Sequence, residues 1–237
     1  MSTFNFFGGI NGNNIIINGK KIDETKKISS VGVSKIRVIS NNVRVNIIEN
    51  HESKIVARLH GSASSLDFRF SLSKIAANEI QITAEFESMS SGVNIINGVV
   101  ISGSFSNLEL DVCIPHTTLE ILDVQTDNSS ISIDGSDATM ITASSKNGSI
   151  QLKNVTFETL SLECKNGSIK IESYVKSEVK LNVSTKNGSI DCMLGNIGAS
   201  TVKVSSKNGS CTNAPNLSGE YTATGFISSK NGSVKFY

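Results

Sequence analysis

The stretch Ser145-Lys146-Asn147-Gly148-Ser149-Ile150 decides the fold, because the chain writes it again and again. It returns as Cys164-Lys165-Asn166-Gly167-Ser168-Ile169 and as Thr185-Lys186-Asn187-Gly188-Ser189-Ile190. Two further copies follow, Ser206-Lys207-Asn208-Gly209-Ser210-Cys211 and Ser229-Lys230-Asn231-Gly232-Ser233-Val234. A worn copy, Thr126-Asp127-Asn128-Ser129-Ser130-Ile131, precedes them all. The Asn residues lie 19 to 23 residues apart, a period that signals stacked repeats. No segment sustains a helical stripe of apolar residues, so each repeat reads as strands.

Counting from each Asn as position zero, three columns are apolar in nearly every copy. Position −4 is Val124, Ala143, Leu162, Val183, Val204 and Ile227. Position +3 runs Ile131, Ile150, Ile169, Ile190, Cys211, Val234, and position +5 runs Ile133, Leu152, Ile171, Cys192, Asn213, Phe236. They alternate with polar columns, so one face of each repeat is buried. Position −2 shares the inward parity but is always small (Thr126, Ser145, Cys164, Thr185, Ser206, Ser229), as a tight corner requires. The Asn-Gly pair is expected to supply the positive φ of that corner.

Two architectures satisfy this pattern. Asn-Gly is either the turn of a β-hairpin or the corner of a β-solenoid in which each repeat is one turn of the coil. About a dozen residues per repeat lie outside the two short strands, and further apolar residues among them (Val155, Phe157, Val175, Ile197, Leu217) suit another side of a coil. Literal constancy of the motif also favours the solenoid. Parallel stacking sets identical residues one above another at about 4.7–4.9 Å, where Asn side chains can ladder.

The first half is less regular. Residues 36–39, 43–47, 55–59, 68–72, 79–84 and 108–112 alternate apolar and polar with period two, as half-buried strands do. Strands are also expected at Ile15-Ile16-Ile17 and near Lys21-Ile22. The Ser/Gly/Asn-rich segment 87–107 reads as a long loop or a hairpin inserted around Asn97-Gly98.

The stretch LELDVCIPHTTLEILDVQTDNSSISIDG (108–135), followed by copies of SSKNGSIQL (144–152), resembles the DUF4097 putative-adhesin family of bacterial β-strand repeat proteins. KIRVISNNVRVNI (35–47) and NEIQITAEF (78–86) are similar to that family's early strands. The resemblance implies an all-β fold, a parallel, right-handed, single-stranded β-helix, and no catalytic residues. The expectation is therefore one solenoid domain over 1–237, with irregular N-terminal coils over 1–115 and regular repeat coils over 116–237.

Composition sets limits on function. Net charge is +1 over 237 residues, so no global field draws the chain to nucleic acid or membrane. No stretch approaches the roughly 20 apolar residues of a transmembrane segment. The N-terminus lacks signal-peptide character, which reads as cytoplasmic, or as cell surface if a leader was removed. Cys113, Cys164, Cys192 and Cys211 show no metal-ligand spacing and read as small buried hydrophobes. His51, His60 and His116 are scattered, with no Cys or carboxylate at ligand spacing, so no metal or other cofactor is expected. Asp134 and Asp137 read as turn residues. The Asn-Gly-Ser sequons are accounted for by corner geometry.

Position −1 carries the one unusual constellation: Lys146, Lys165, Lys186, Lys207 and Lys230, headed by Asp127. Stacked coils would line these into a ridge for an anionic polymer or protein partner. The competing explanation is that surface Lys simply discourages strand-on-strand aggregation. The chain stops at Tyr237 directly after the fifth copy, leaving that coil uncapped, which suggests a shielding loop or an end-to-end homodimer. The leading reading is a non-enzymatic binding or scaffold protein of adhesin type. The rivals are a carbohydrate-active β-helix enzyme and a cytoplasmic self-assembling stress or regulatory protein.

Overall fold

The computed structural model describes residues 10–11, 14–15, 20–63, 68–86, 93–96, 99–102 and 106–237. Among them no helix occurs, and two ten-stranded sheets contain nearly all the strands. Each repeat sends one strand into each sheet. Leu119–Thr126, Ala138–Ser145, Thr159–Asn166 and Val179–Asn187 enter the first sheet, ahead of the Asn corner. Ile131–Asp134, Ile150–Lys153, Ile169–Tyr174 and Ile190–Gly195 follow the corner and enter the second. Within each sheet these strands pair in parallel and in register, so Ile131, Ile150, Ile169 and Ile190 lie in one line. The hairpin alternative is thereby excluded. The coil has two sheets, and Val155, Phe157 and Val175 are buried between its strands on the return path, while Leu217 is exposed.

The columns behave as their parity demands. Positions −4, +3 and +5 are buried in every copy except that at Asn208, where Cys211 and Asn213 are exposed and Val204 is only half-buried. Apolar side chains of the two sheets meet in one cluster that runs from Ile22 to Phe236.

The corner contains two hydrogen-bond systems. Asn Nδ2 of one coil donates to Asn Oδ1 of the next: Asn147 to Asn128, Asn166 to Asn147 and Asn187 to Asn166, each at 2.7 Å. Asn128 begins the row by donating to Asn42 at 3.0 Å. In every copy but that of Thr126, the inward hydroxyl or thiol at −2 donates to a corner carbonyl of the neighbouring coil. Thr185 Oγ1 reaches Gly167 O at 2.9 Å and Cys164 Sγ reaches Gly148 O at 3.1 Å. Position −2 is thus small and also a donor.

The expected role of the corner glycine is corrected in four of the five copies. Gly148, Gly167, Gly188 and Gly209 do not adopt positive φ, whereas Gly232 does, at +149°. A Cβ on Gly188 would instead collide with the backbone carbonyl of Gly167, and one on Gly167 with that of Gly148. The residue is glycine because successive corners stack backbone on backbone.

The last repeats depart from sequence order. Strand Tyr221–Asn231 pairs with Val179–Asn187 on one side and with Lys203–Asn208 on the other. Val234–Phe236 likewise lies between Ile190–Gly195 and Cys211–Asn213. The final copy in sequence is therefore the penultimate one in space, and the premise of an uncapped C-terminal coil is overturned. Lys203–Asn213 closes the stack, which explains the polar Asn213 and the exposed Cys211 in its apolar columns.

The opposite end is built by a similar detour. Lys35–Asn41 and Arg44–Asn50 pair in parallel with the first repeat. Glu79–Phe86 and Ser106–Pro115 continue the two sheets beyond them, again in parallel. Lys54–Ala63, Phe68–Ala76 and Lys20–Ser29 then close this end as antiparallel strands, not as further coils. Val93–Ile96 and Val99–Ser102 form the antiparallel pair expected of a hairpin at Asn97-Gly98, whose two central residues lie outside the described set. Of the Ile15–Ile17 run, Ile15 belongs to a two-residue strand, and positions 16 and 17 lie outside it as well.

Candidate functional site, a lysine-lined groove

Positions −3 and −1 flank the inward −2 residue, so their side chains point outward on the same side of the first sheet. Stacking turns each position into a row. At −3 the residues are Gln125, Ser144, Glu163, Ser184, Ser228 and Ser205, mostly short. At −1 the spatial order is Asp127, Lys146, Lys165, Lys186, Lys230, Lys207, because Asn231 sits between Asn187 and Asn208. All five predicted lysines are thereby brought together. A short row beside a long row leaves an open groove of about 950 Å³, lined by all five lysines together with Asp127, Glu163, Ser144, Ser184 and Ser228.

The charges are unevenly compensated. Lys146 Nζ lies 2.8 Å from Asp127 Oδ1. Lys165, Lys186, Lys230 and Lys207 form no ion pair among the described residues, and Glu163 alone contributes a second carboxylate to the groove. Ammonium groups about 5 Å apart repel by a little under 1 kcal/mol in water. The corner ladder nevertheless sets their stems at the strand spacing.

The remaining sequence candidates are placed as follows. Asp134 and Asp137 are corrected from turn residues: Asp134 ends the strand Ile131–Asp134 and accepts from Asn154 Nδ2 at 3.0 Å, while Asp137 is bridged to Thr156 and lies 3.9 Å from Lys176. Cys164 and Cys192 are buried, and burial pushes both thiols up; Cys113 is half-buried and Cys211 is exposed. His116 Nδ1 sits 2.6 Å from Glu49 Oε1. His60 Nε2 lies 2.8 Å from Asp111 Oδ2, with Glu109 close by. A carboxylate thus stands beside each of these two histidines, although none lies at ligand spacing in the sequence. About 50 residues separate His60 from Glu109 and Asp111 in sequence, and only the antiparallel pairing of Lys54–Ala63 with Ser106–Pro115 sets His60 opposite Glu109.

Comparison with known proteins agrees with this architecture. A family profile described as Toastrack DUF4097 matches residues 33–235. No curated protein sequence matches the chain. Among solved structures, the chain is similar to a "putative cell adhesion protein" from Clostridium sporogenes at 12% identity. That alignment covers 92% of this chain and 99% of the other, with a TM-score of 0.51. A "putative adhesin" from Bacteroides fragilis is matched at 12% identity over 92% and 99% of the two chains, with a TM-score of 0.46. The likeness to the Clostridium sporogenes structure, at 12% identity, is one of fold alone.

Proposed function

The chain belongs to the Toastrack DUF4097 family, and from that premise we propose that it is a non-enzymatic binding scaffold whose lysine groove holds an anionic polymer. One observation carries the reading. Four lysines that form no ion pair among the described residues stand in consecutive coils above a floor of serines and Glu163. A row of cations at about 5 Å suits an extended polymer with repeated negative groups better than a compact ligand, because each coil offers the same contact. An envelope glycopolymer bearing phosphate or carboxylate groups has that chemistry. The adhesin-type names of similar structures are compatible with such a partner. We take the winding as right-handed, since crossovers between parallel strands of one sheet are right-handed in nearly all proteins. A homodimer formed end to end would use the outermost strands, Lys203–Asn208 and Cys211–Asn213.

The test is binding of the full chain to polyphosphate and to an acidic polysaccharide as salt is raised. Affinity is expected at low salt and should fall steeply with ionic strength. Replacing Lys165, Lys186, Lys207 and Lys230 together by Gln should abolish it. Undiminished binding by that variant, or none by the parent at low salt, overturns the reading.

A further inference from the structure

The second sheet carries a separate constellation. His60, Glu109 and Asp111 present one imidazole nitrogen and two carboxylate oxygens, all within 4.8 Å of one another. The geometry points to a binding site for one divalent transition-metal ion of the zinc class. We assign His60, Glu109 and Asp111 as its ligands.

Register creates the cluster. His60 is directly opposite Glu109 across the antiparallel pair, and Asp111 is two residues further along the same face. The neighbouring groups orient the carboxylates and do not quench them. Asn46 Nδ2 donates to Asp111 Oδ1 at 2.9 Å and to Glu109 Oε2 at 3.3 Å, holding the two carboxylates side by side. Such outer hydrogen bonds fix ligand orientation in metal sites. Arg58, the nearest guanidinium on the same strand as His60, is turned to Asp23 by two bonds of 2.8 and 2.9 Å. Arg44 touches Glu109 Oε1 at 3.4 Å from an exposed position, a weak restraint.

The donor set selects the ion. Imidazole with carboxylates suits zinc-class ions, whereas calcium and magnesium favour oxygen-only ligands. Zinc needs donors at about 2.0–2.2 Å from the metal. His60 Nε2 and Asp111 Oδ2 are hydrogen-bonded at 2.8 Å, and the ion would replace that bond as the two donors open to roughly 3.3 Å. All three residues are about one-quarter to one-third exposed, so water can complete the coordination. The ion would staple the antiparallel end strand Lys54–Ala63 to Ser106–Pro115. It is independent of the lysine groove, which lies on the other sheet.

The experiment is calorimetric titration of zinc chloride into the untagged, chelator-treated full chain. Thermal unfolding is followed in parallel with and without the ion. Saturable binding at one ion per chain and a rise in Tm are expected. His60→Ala and Asp111→Asn should each weaken binding at least about tenfold, with the circular dichroism spectrum unchanged. His60→Gln, which keeps the size, is the second variant should His60→Ala unfold. His51→Ala and His116→Ala should bind as the parent does. No saturable binding overturns the assignment, as does binding that survives loss of His60 or is lost with His116.

Discussion

Asn187 and Asn231 are neighbours in the corner ladder: Asn231 Nδ2 donates to Asn187 Oδ1 at 2.6 Å, although 44 residues separate them. Asn231 also accepts from Asn208 at 2.7 Å. Asn208 is the end of the row, with a ladder partner on one side only.

This asymmetry makes a prediction. Asn231→Ala removes two ladder bonds and Asn208→Ala removes one. At about 1 kcal/mol per bond, less any share lost to solvent exposure, Asn231→Ala should cost roughly twice as much as Asn208→Ala. Urea unfolding midpoints measure both. Equal costs would mean that Asn231 is not interior.

Glycines can be compared at two contrasting sites. Gly32 has φ +72° but open space around its missing Cβ. Gly188 has no positive φ, yet its Cβ would strike Gly167 O. Gly32→Ala should cost about 1–2 kcal/mol, the strain of a left-handed residue. Gly188→Ala should cost more, about 2–4 kcal/mol, because two coils must separate. The same denaturation series decides the order.

The −2 column supplies a matched pair. Thr185 Oγ1 donates to Gly167 O at 2.9 Å, whereas Thr126 Oγ1 is buried without a partner among the described residues. Thr185→Val should destabilise by about 1 kcal/mol. Thr126→Val, which discards an unsatisfied polar atom, should be neutral or stabilising. Opposite signs in chemical denaturation are the expected result.

Buried thiols confer an alkaline limit. Burial raises Cys192 above its ordinary value of 9.0, so the folded state keeps the proton more tightly than the unfolded one. Stability from this group is complete below pH 9 and declines as pH rises further. Cys192→Ala should flatten that decline, whatever its effect at neutral pH. A thiol reagent at neutral pH should label exposed Cys211 first and reach Cys192 only on unfolding.

Much of the fold was legible in the sequence. The Asn spacing marked the corners, and the parity of Ile150, Leu152 and their counterparts marked the buried face, because side chains on a strand alternate whatever surrounds them. Lys165 and its fellows could be assigned to one row by the same rule. The polar residue Asn213 in an otherwise apolar column could have signalled that the fourth full copy is outermost, although its place before the last copy masked that signal.

Other features were set by tertiary structure alone. Every copy offers the same ladder groups, so local chemistry does not say which copy stacks on which. The insertion of Tyr221–Asn231 beside Val179–Asn187 depends on how the whole stack closes. The meeting of His60 with Glu109 and Asp111 depends on an antiparallel pairing across about 50 residues. The sequence by itself determined what each residue does within a coil, because that follows from strand geometry over a few neighbours. Only the tertiary structure decided the order of the coils and the contacts made at their ends, because those depend on pairings between distant segments that equivalent repeats leave open.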